Sequence, residues 1–256
     1  MLLIPKAVNR LEKAISLPIV KDLFTVHPAL HPYLHYSLTM RDAFHDELDS
    51  IGASLLQMAV LVKDAMATAT TALLNADLAL AEKVIQEDEV IDSIQHDLDA
   101  RAINLMARQQ PVASDLRTLV TSLRMSADLE RMGDLAHHIA KQARMRYPNC
   151  AVPPELTVTI TEMGRAANAI IDKVSAVMEH RDSVRALEIE SDDDEMDKLH
   201  RKLIGILLED SWPHGVEAAI DMTLLGRYYE RCSDHAVSIA RRVYFLVTGE
   251  YAVVQN

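Results

Sequence analysis

Glycine, proline and the large aromatics are scarce in this chain of 256 residues, with seven Gly, nine Pro, three Phe and one Trp. Sheet proteins draw on turn residues and on β-branched or aromatic strands, so the shortage argues against a β fold. Ala, Leu, Met, Asp, Glu and Arg fill the gap, and these suit helices. Cysteine is scarcer still: Cys150 falls in an expected loop and Cys232 inside a helical pattern. That excludes a disulfide framework or a CxxC site and fits a reducing cytoplasm. No apolar run approaches the roughly 18–20 residues of a membrane span. The N-terminus, beginning Met1-Leu2-Leu3-Ile4-Pro5-Lys6, lacks the unbroken apolar core of a signal peptide. Net charge is −12, which speaks against nucleic acid as the main partner, since neutralising phosphates takes clustered Lys and Arg. A Gly-rich phosphate loop, a nucleophile elbow and an HExxH zinc motif are all missing.

What is present reads as an ordinary globular chain, 49% apolar and 25% charged. The length allows one large domain or two smaller ones. Residues 1–39 stand apart, with Pro5, Pro18, Pro28 and Pro32, the run His27-Pro28-Ala29-Leu30-His31-Pro32, and more basic than acidic residues. Two readings of this extension stay open. It is a flexible segment with a short amphipathic helix, Val8–Leu11–Ile15, or it lies upstream of a natural start at Met40. From Met40 onward the apolar residues Phe44, Leu48, Ile51, Leu55, Met58 and Val62 recur at steps of three and four, the period of a helix. The spacing predicts six helices, over about 41–75, 78–107, 112–146, 154–180, 182–208 and 213–247. Asn75-Ala76-Asp77 offers a cap, Gln109-Gln110-Pro111 a stop with Ser114 helping the next start, and Pro153-Pro154 marks the linker.

The second half repeats the first. Asp88-Glu89-Val90-Ile91-Asp92 corresponds to Asp193-Asp194-Glu195-Met196-Asp197, and Glu130-Arg131-Met132-Gly133-Asp134 to Glu230-Arg231-Cys232-Ser233-Asp234. The two offsets differ slightly, so a small length difference is expected in the intervening turn. Three helices with short connections, twice over, make an all-α fold of two tandem three-helix bundles. The expected domains are residues 40–148 and 152–250, after the 1–39 extension.

Each repeated motif places two carboxylates four residues apart, hence on one helical face. Such pairs are common on solvated surfaces. Here Glu130 and Asp134 continue the direction of Leu116, Leu119 and Leu123, which are expected to face the bundle interior. Asp88 and Asp92 border the stripe of Ile91, Ile94 and Leu98. Buried carboxylates need partners or protons, and the basic residues within reach, mainly Arg131, are too few. Four carboxylates from two adjacent helices would make an oxygen-rich site suited to Mg, Mn, Ca or iron.

These residues carry a resemblance. Gln110-Pro111-Val112-Ala113-Ser114-Asp115-Leu116-Arg117, then Asp128-Leu129-Glu130-Arg131-Met132-Gly133-Asp134-Leu135-Ala136, closely resemble the PhoU family. Tyr229-Glu230-Arg231-Cys232-Ser233-Asp234-His235-Ala236 resembles its second repeat. The resemblance covers about residues 40–250 and implies multinuclear clusters of divalent or trivalent metal ions (Mg, Mn, Fe or Zn). By position, Asp88, Asp92, Glu130 and Asp134 would hold the first, and Asp193, Asp197, Glu230 and Asp234 the second. It further implies a cytoplasmic regulator, not an enzyme, that represses phosphate-starvation genes and restrains phosphate uptake. Its partners would be the ATPase subunit of the phosphate ABC transporter and the phosphate sensor histidine kinase, reached at the inner membrane, and a homodimer is expected. Two competitors stay in view. A di-iron or di-manganese carboxylate oxidase would need Glu-x-x-His motifs; none occurs, and Asp134-x-x-His137 and Asp197-x-x-His200 are the nearest approaches. His137, His138 and His200 therefore read as surface or core-edge histidines. A purely structural scaffold would be indifferent to chelators.

Overall fold

Helix boundaries fall where the chain supplies caps and breakers. The computed structural model describes residues 31–252. Over these residues it places six α-helices: α1 (His31–Asn75), α2 (Leu78–Gln109), α3 (Ala113–Arg146), α4 (Thr157–His180), α5 (Ser183–Leu207) and α6 (Gly215–Thr248). A short 3₁₀ turn at Pro154–Leu156 precedes α4. Asp77 caps α2, its side chain accepting from the Leu80 amide at 3.0 Å. Asp182 caps α5 through the amides of Val184 and Arg185. Ser114, expected to help start α3, lies in its first turn. Val112 holds the N-cap position without a side-chain hydrogen bond, and Ser114 lies already inside the helix, where its hydroxyl approaches Asp115 at 3.5 Å. Gly249 closes α6 at φ +80°, its amide bonded to the Phe245 carbonyl, a backbone state that favours glycine.

The Val8–Leu11–Ile15 stretch, with all of residues 1–30, lies outside the described residues. α1 already begins at His31, upstream of Met40. The change in composition at Met40 is therefore not a helix boundary. The stretch Asp42–Asn75 is long and apolar enough to cross a membrane by length and composition; Lys63 and Asp64 hide this from a count of unbroken runs. Met58, Val62, Met66, Ala69 and Leu73 are nonetheless fully buried, so this apolar face is core.

From Leu48 onward the chain forms one unit. Within it each half is a three-helix bundle, and the halves meet where α3 packs on α6. Asp128 on α3 accepts from Arg242 Nε at 2.7 Å and lies 3.0 Å from His235 Nδ1 on α6. Farther along, Arg146 Nε donates to Asp221 at 2.6 Å. These contacts set α3 and α6 antiparallel. Burial alone would raise the Asp128 carboxyl, but its hydrogen bonds from His235 and Arg242 outweigh that and hold it below the usual carboxylate range.

α1 is tied to the second half through Thr70. Its hydroxyl gives its one proton to the Met66 carbonyl at 2.8 Å, so the fully buried Tyr229 hydroxyl donates to it at 2.9 Å. A Cβ on Gly164 of α4 would stand 2.6 Å from Thr70 Cγ2. Only glycine lets the helices approach this closely.

Candidate metal centres

α2 and α3 run antiparallel, with Asp88 beside His137 and Asp99 beside Ser126. Asp88 and Asp92 consequently face Glu130 and Asp134 across the α2–α3 groove. α5 and α6 repeat the arrangement with Asp193, Asp197, Glu230 and Asp234. Close packing beneath each groove depends on small residues: a Cβ on Gly133 would lie 3.0 Å from Ile91 Cδ1 and 3.5 Å from Asp88 Oδ1, and one on Gly226 only 2.6 Å from Leu203 Cδ2.

Acidity shows how tightly each set of four is coupled. Burial raises the Asp92 carboxyl, and the charges of Asp88 and Asp134 raise it further. Glu130 is raised by burial, then by Asp134, with Arg131 opposing and Asp92 and Asp88 adding. In the second half burial pushes Asp193 up to about 6, assisted by Asp234, Asp197 and Glu230. Glu230 is raised by burial and then by Asp234, against Arg227 and His200. All eight carboxylates picked from the repeated motifs thus fall into two mutually repelling groups of four. Guanidinium groups oppose this charge from the rims. Arg131 lies 3.6 Å from Glu130 and 3.3 Å from Asp134, Arg227 pairs with Glu230, and Arg201 stands 3.5 Å from Asp197.

The expectation that Leu116, Leu119 and Leu123 face the bundle interior, with Glu130 and Asp134 on the same side, holds for the fully buried Leu119 but not for Leu116. Leu116 is 40% exposed, whereas Leu129, Met132, Ala136 and Ile139 are fully buried. α3 packs against α2 and α6, so its buried arc is broad and centred on that second stripe. The carboxylates border the groove instead: the Asp88 side chain is 11% exposed and that of Asp134 36%. A half-open groove lets ions in from solvent while still penalising four bare charges.

His137, read from the sequence as a surface or core-edge histidine, has an 18% exposed side chain at the edge of the core, beside the first set of acids. Its Nδ1 bonds Asp88, and one atom each of Asp88, Asp134 and His137 lie within 4.8 Å of one another, close enough to hold one cation. The signal available was the spacing Glu130-x-x-x-Asp134-x-x-His137, which extends the acidic face by one more turn. Two buried polar atoms at these centres lack hydrogen-bond partners, His137 Nε2 and Asp193 Oδ1. Converging carboxylates, raised carboxyl pKa values and an unpartnered buried oxygen are what a cation would relieve. The donor sets fit the oxygen-preferring metal ions that the resemblance implies.

Comparison with known proteins agrees with this duplication. The PhoU domain matches the chain twice, over residues 55–143 and 160–243. The chain belongs to the PhoU family. All eight carboxylates and His137 fall within the two PhoU segments, and residues 1–39 fall outside them. The phosphate-specific transport system accessory protein PhoU homolog 2 of Mycobacterium tuberculosis is 46% identical over 212 residues, covering 83% of this chain and 100% of the relative. The PhoU homolog of Rhizobium meliloti is 32% identical over 81% of this chain and 88% of its own length. The crystal structure of PhoU from Pseudomonas aeruginosa superposes with a TM-score of 0.74 at 30% identity, over 81% of this chain and all of that one.

Proposed function

We propose that this protein is a metal-binding cytoplasmic regulator of phosphate uptake and phosphate-starvation signalling, acting through contacts with other proteins and not through turnover. The observation that carries the reading is the duplicated pair of four-carboxylate grooves on a chain of the PhoU family. Its relatives are named as accessory proteins of a phosphate-specific transport system, which supports the assignment to phosphate transport. The ATPase subunit of the phosphate transporter and a phosphate sensor kinase are the proposed partners, and a homodimer the proposed assembly. Each centre would be held by Asp88, Asp92, Glu130 and Asp134 or by Asp193, Asp197, Glu230 and Asp234. Bound cations would turn two repelling anionic grooves into neutral or positive surfaces. The grooves lie on either side of the α3–α6 pair, so the centres stand roughly 16–20 Å apart at ordinary helix spacing. A partner can therefore be gripped at two points.

The oxidase reading gains little from His137. Di-iron bundles use two Glu-x-x-His pairs around one shared core, and the position matching His137 in the second half is Val237. The test is genetic and biochemical together. Cells lacking this chain, with no second copy, should express phosphate-scavenging genes in phosphate-rich medium. Cells carrying Asp88→Asn, Asp134→Asn, Asp193→Asn and Asp234→Asn together should do the same. Pull-down of the transporter ATPase or the kinase should weaken with those substitutions. Normal repression in the deletion strain would overturn the regulatory reading, and oxygen consumption by iron-loaded protein would favour the oxidase.

A further inference from the structure

The two centres share their carboxylates but not their nitrogen. In the first, His137 on α3 contacts Asp88 and lies in one 4.8 Å group with Asp88 and Asp134. Among the described residues no such group is found at the second centre. Val237, 7% exposed, takes the matching place on α6. His200 is near enough to act on Glu230 by its charge, but its ring packs against Gly226, where its carbon Cδ2 would be 3.1 Å from a Cβ, and it joins no close group with the acids. The rims differ as well. Both carry guanidinium, but the first has one, Arg131 against Glu130 and Asp134, and the second has two: Arg201 faces Asp197 where the first half has His96 beside Asp92, and Arg227 covers Glu230 where the first half has Ala127. A guanidinium stays charged at every working pH and must be displaced by an incoming cation. A neutral imidazole opposes nothing and offers a lone pair.

Resting on the metal reading above, we infer that the two centres are selective for different metals. The first is a mixed nitrogen–oxygen site in which His137 contributes to binding, favouring zinc, cobalt or ferrous iron. The second is an all-oxygen site favouring magnesium or manganese. Imidazole adds most to the affinity of the later first-row metals and little to that of Mg²⁺. One chain would thereby hold two kinds of ion at once and respond separately to the supply of each.

The experiment uses the full chain with one centre disabled at a time: Asp193→Asn with Asp197→Asn leaves the first, and Asp88→Asn with Asp134→Asn leaves the second. Each protein, stripped with chelator, is titrated with Co²⁺ followed by its visible absorption, with and without excess Mg²⁺. The first centre should bind Co²⁺ at least about tenfold tighter than the second, and Mg²⁺ should compete better at the second. Adding His137→Ala should weaken Co²⁺ at the first centre by about 10–100-fold, the loss typical of an altered metal surround, with Mg²⁺ affinity nearly unchanged. Val237→His should move the second centre toward the first. Because His137→Ala could unfold the groove, the unsubstituted first centre is also loaded with Mn²⁺ and read by pulsed electron paramagnetic resonance, where a nitrogen coupling is expected. Equal Co²⁺-to-Mg²⁺ preference at the two centres, or no nitrogen coupling at the first, overturns the inference and leaves the metal reading standing. Failure of both half-site proteins to bind Co²⁺ or Mg²⁺ overturns the metal reading, and this inference with it.

Discussion

Where α2 carries His96, α5 carries Arg201, and where α3 carries His137 and Gly133, α6 carries Val237 and Ser233. The eight acids survived duplication in place while their immediate neighbours diverged. The second half also lost length: α2 continues from Asp92 to Gln109, but α5 only from Asp197 to Leu207, with a longer connection to α6. The expected length difference thus lies mostly in the helices, not in the turn. What the two halves teach is that four facing carboxylates constrain only a turn or two of each helix. Everything beyond that distance, and every side chain at the rim, was free to change the electrostatics of the groove.

The strongest way to break the comparison is to remove one set of acids. Glu130→Gln with Asp134→Asn should abolish metal at the first centre and leave the second loaded, and Glu230→Gln with Asp234→Asn should do the reverse. Elemental analysis of the purified variants reads the result, and loss of metal from both centres in either variant would show that they form one cooperative unit. Loaded protein should also melt higher than chelated protein, because the ion binds only the folded groove.

A second test sets the halves apart by pH. Asp92, Glu130, Asp193 and Glu230 all have raised pKa values in the folded protein, Asp193 from 3.8 to about 6. A carboxyl raised on folding binds more protons in the folded state, so stability falls as pH rises through the window between its two values. Chelated protein should therefore resist urea better at about pH 5.5 than at about pH 7.5. Asp193→Asn should flatten that slope more than Asp92→Asn. Metal loading should remove or reverse it, since a cation replaces the proton. An unchanged slope in Asp193→Asn would mean that the second groove is not the source.

Smaller effects come from core positions that diverged. The matching residues Leu129 and Tyr229 are both fully buried, but only Tyr229 reaches Thr70 on α1. Tyr229→Phe should cost about 1 kcal/mol in urea unfolding, the net worth of one buried hydrogen bond. No loss would show that the Thr70 contact is idle. The smallest effect is expected from Gly133→Ser, which copies the second half into the first. The new Cβ meets mainly the flexible end of Ile91, and serine suits a helix better than glycine by about 0.5 kcal/mol. The change should stay within about 0.5 kcal/mol in the same assay, and a larger loss would mean that Ile91 cannot move.

Helix positions, the duplication and the candidate carboxylates were legible because each depends on local chemistry. A 3.6-residue apolar period, an Asp77 cap, a Pro153-Pro154 linker and an acid-x-x-x-Asp repeat can all be read along a single strand of text. The azimuth argument for α3 held at Leu119 and failed at Leu116, while the opposite stripe of Leu129, Met132 and Ile139, also readable as core, is fully buried. A helix with neighbours on several sides buries a wide arc, and the sequence does not say which stripe is its centre. The contact of His137 was hidden for a related reason: its partner, Asp88, lies on another helix, 49 residues away.

The sequence by itself determined that this chain is helical and duplicated and that it carries two sets of four acids, since helical propensity and periodicity act within a few residues. Only the tertiary structure decided how those sets differ. Which face of α3 is buried, that Asp128 joins the halves, and that the His137 imidazole meets Asp88 of the first groove all depend on antiparallel register between helices. Register is set by packing across the core, as where Gly133 admits Ile91 and Tyr229 meets Thr70, between residues far apart in the chain.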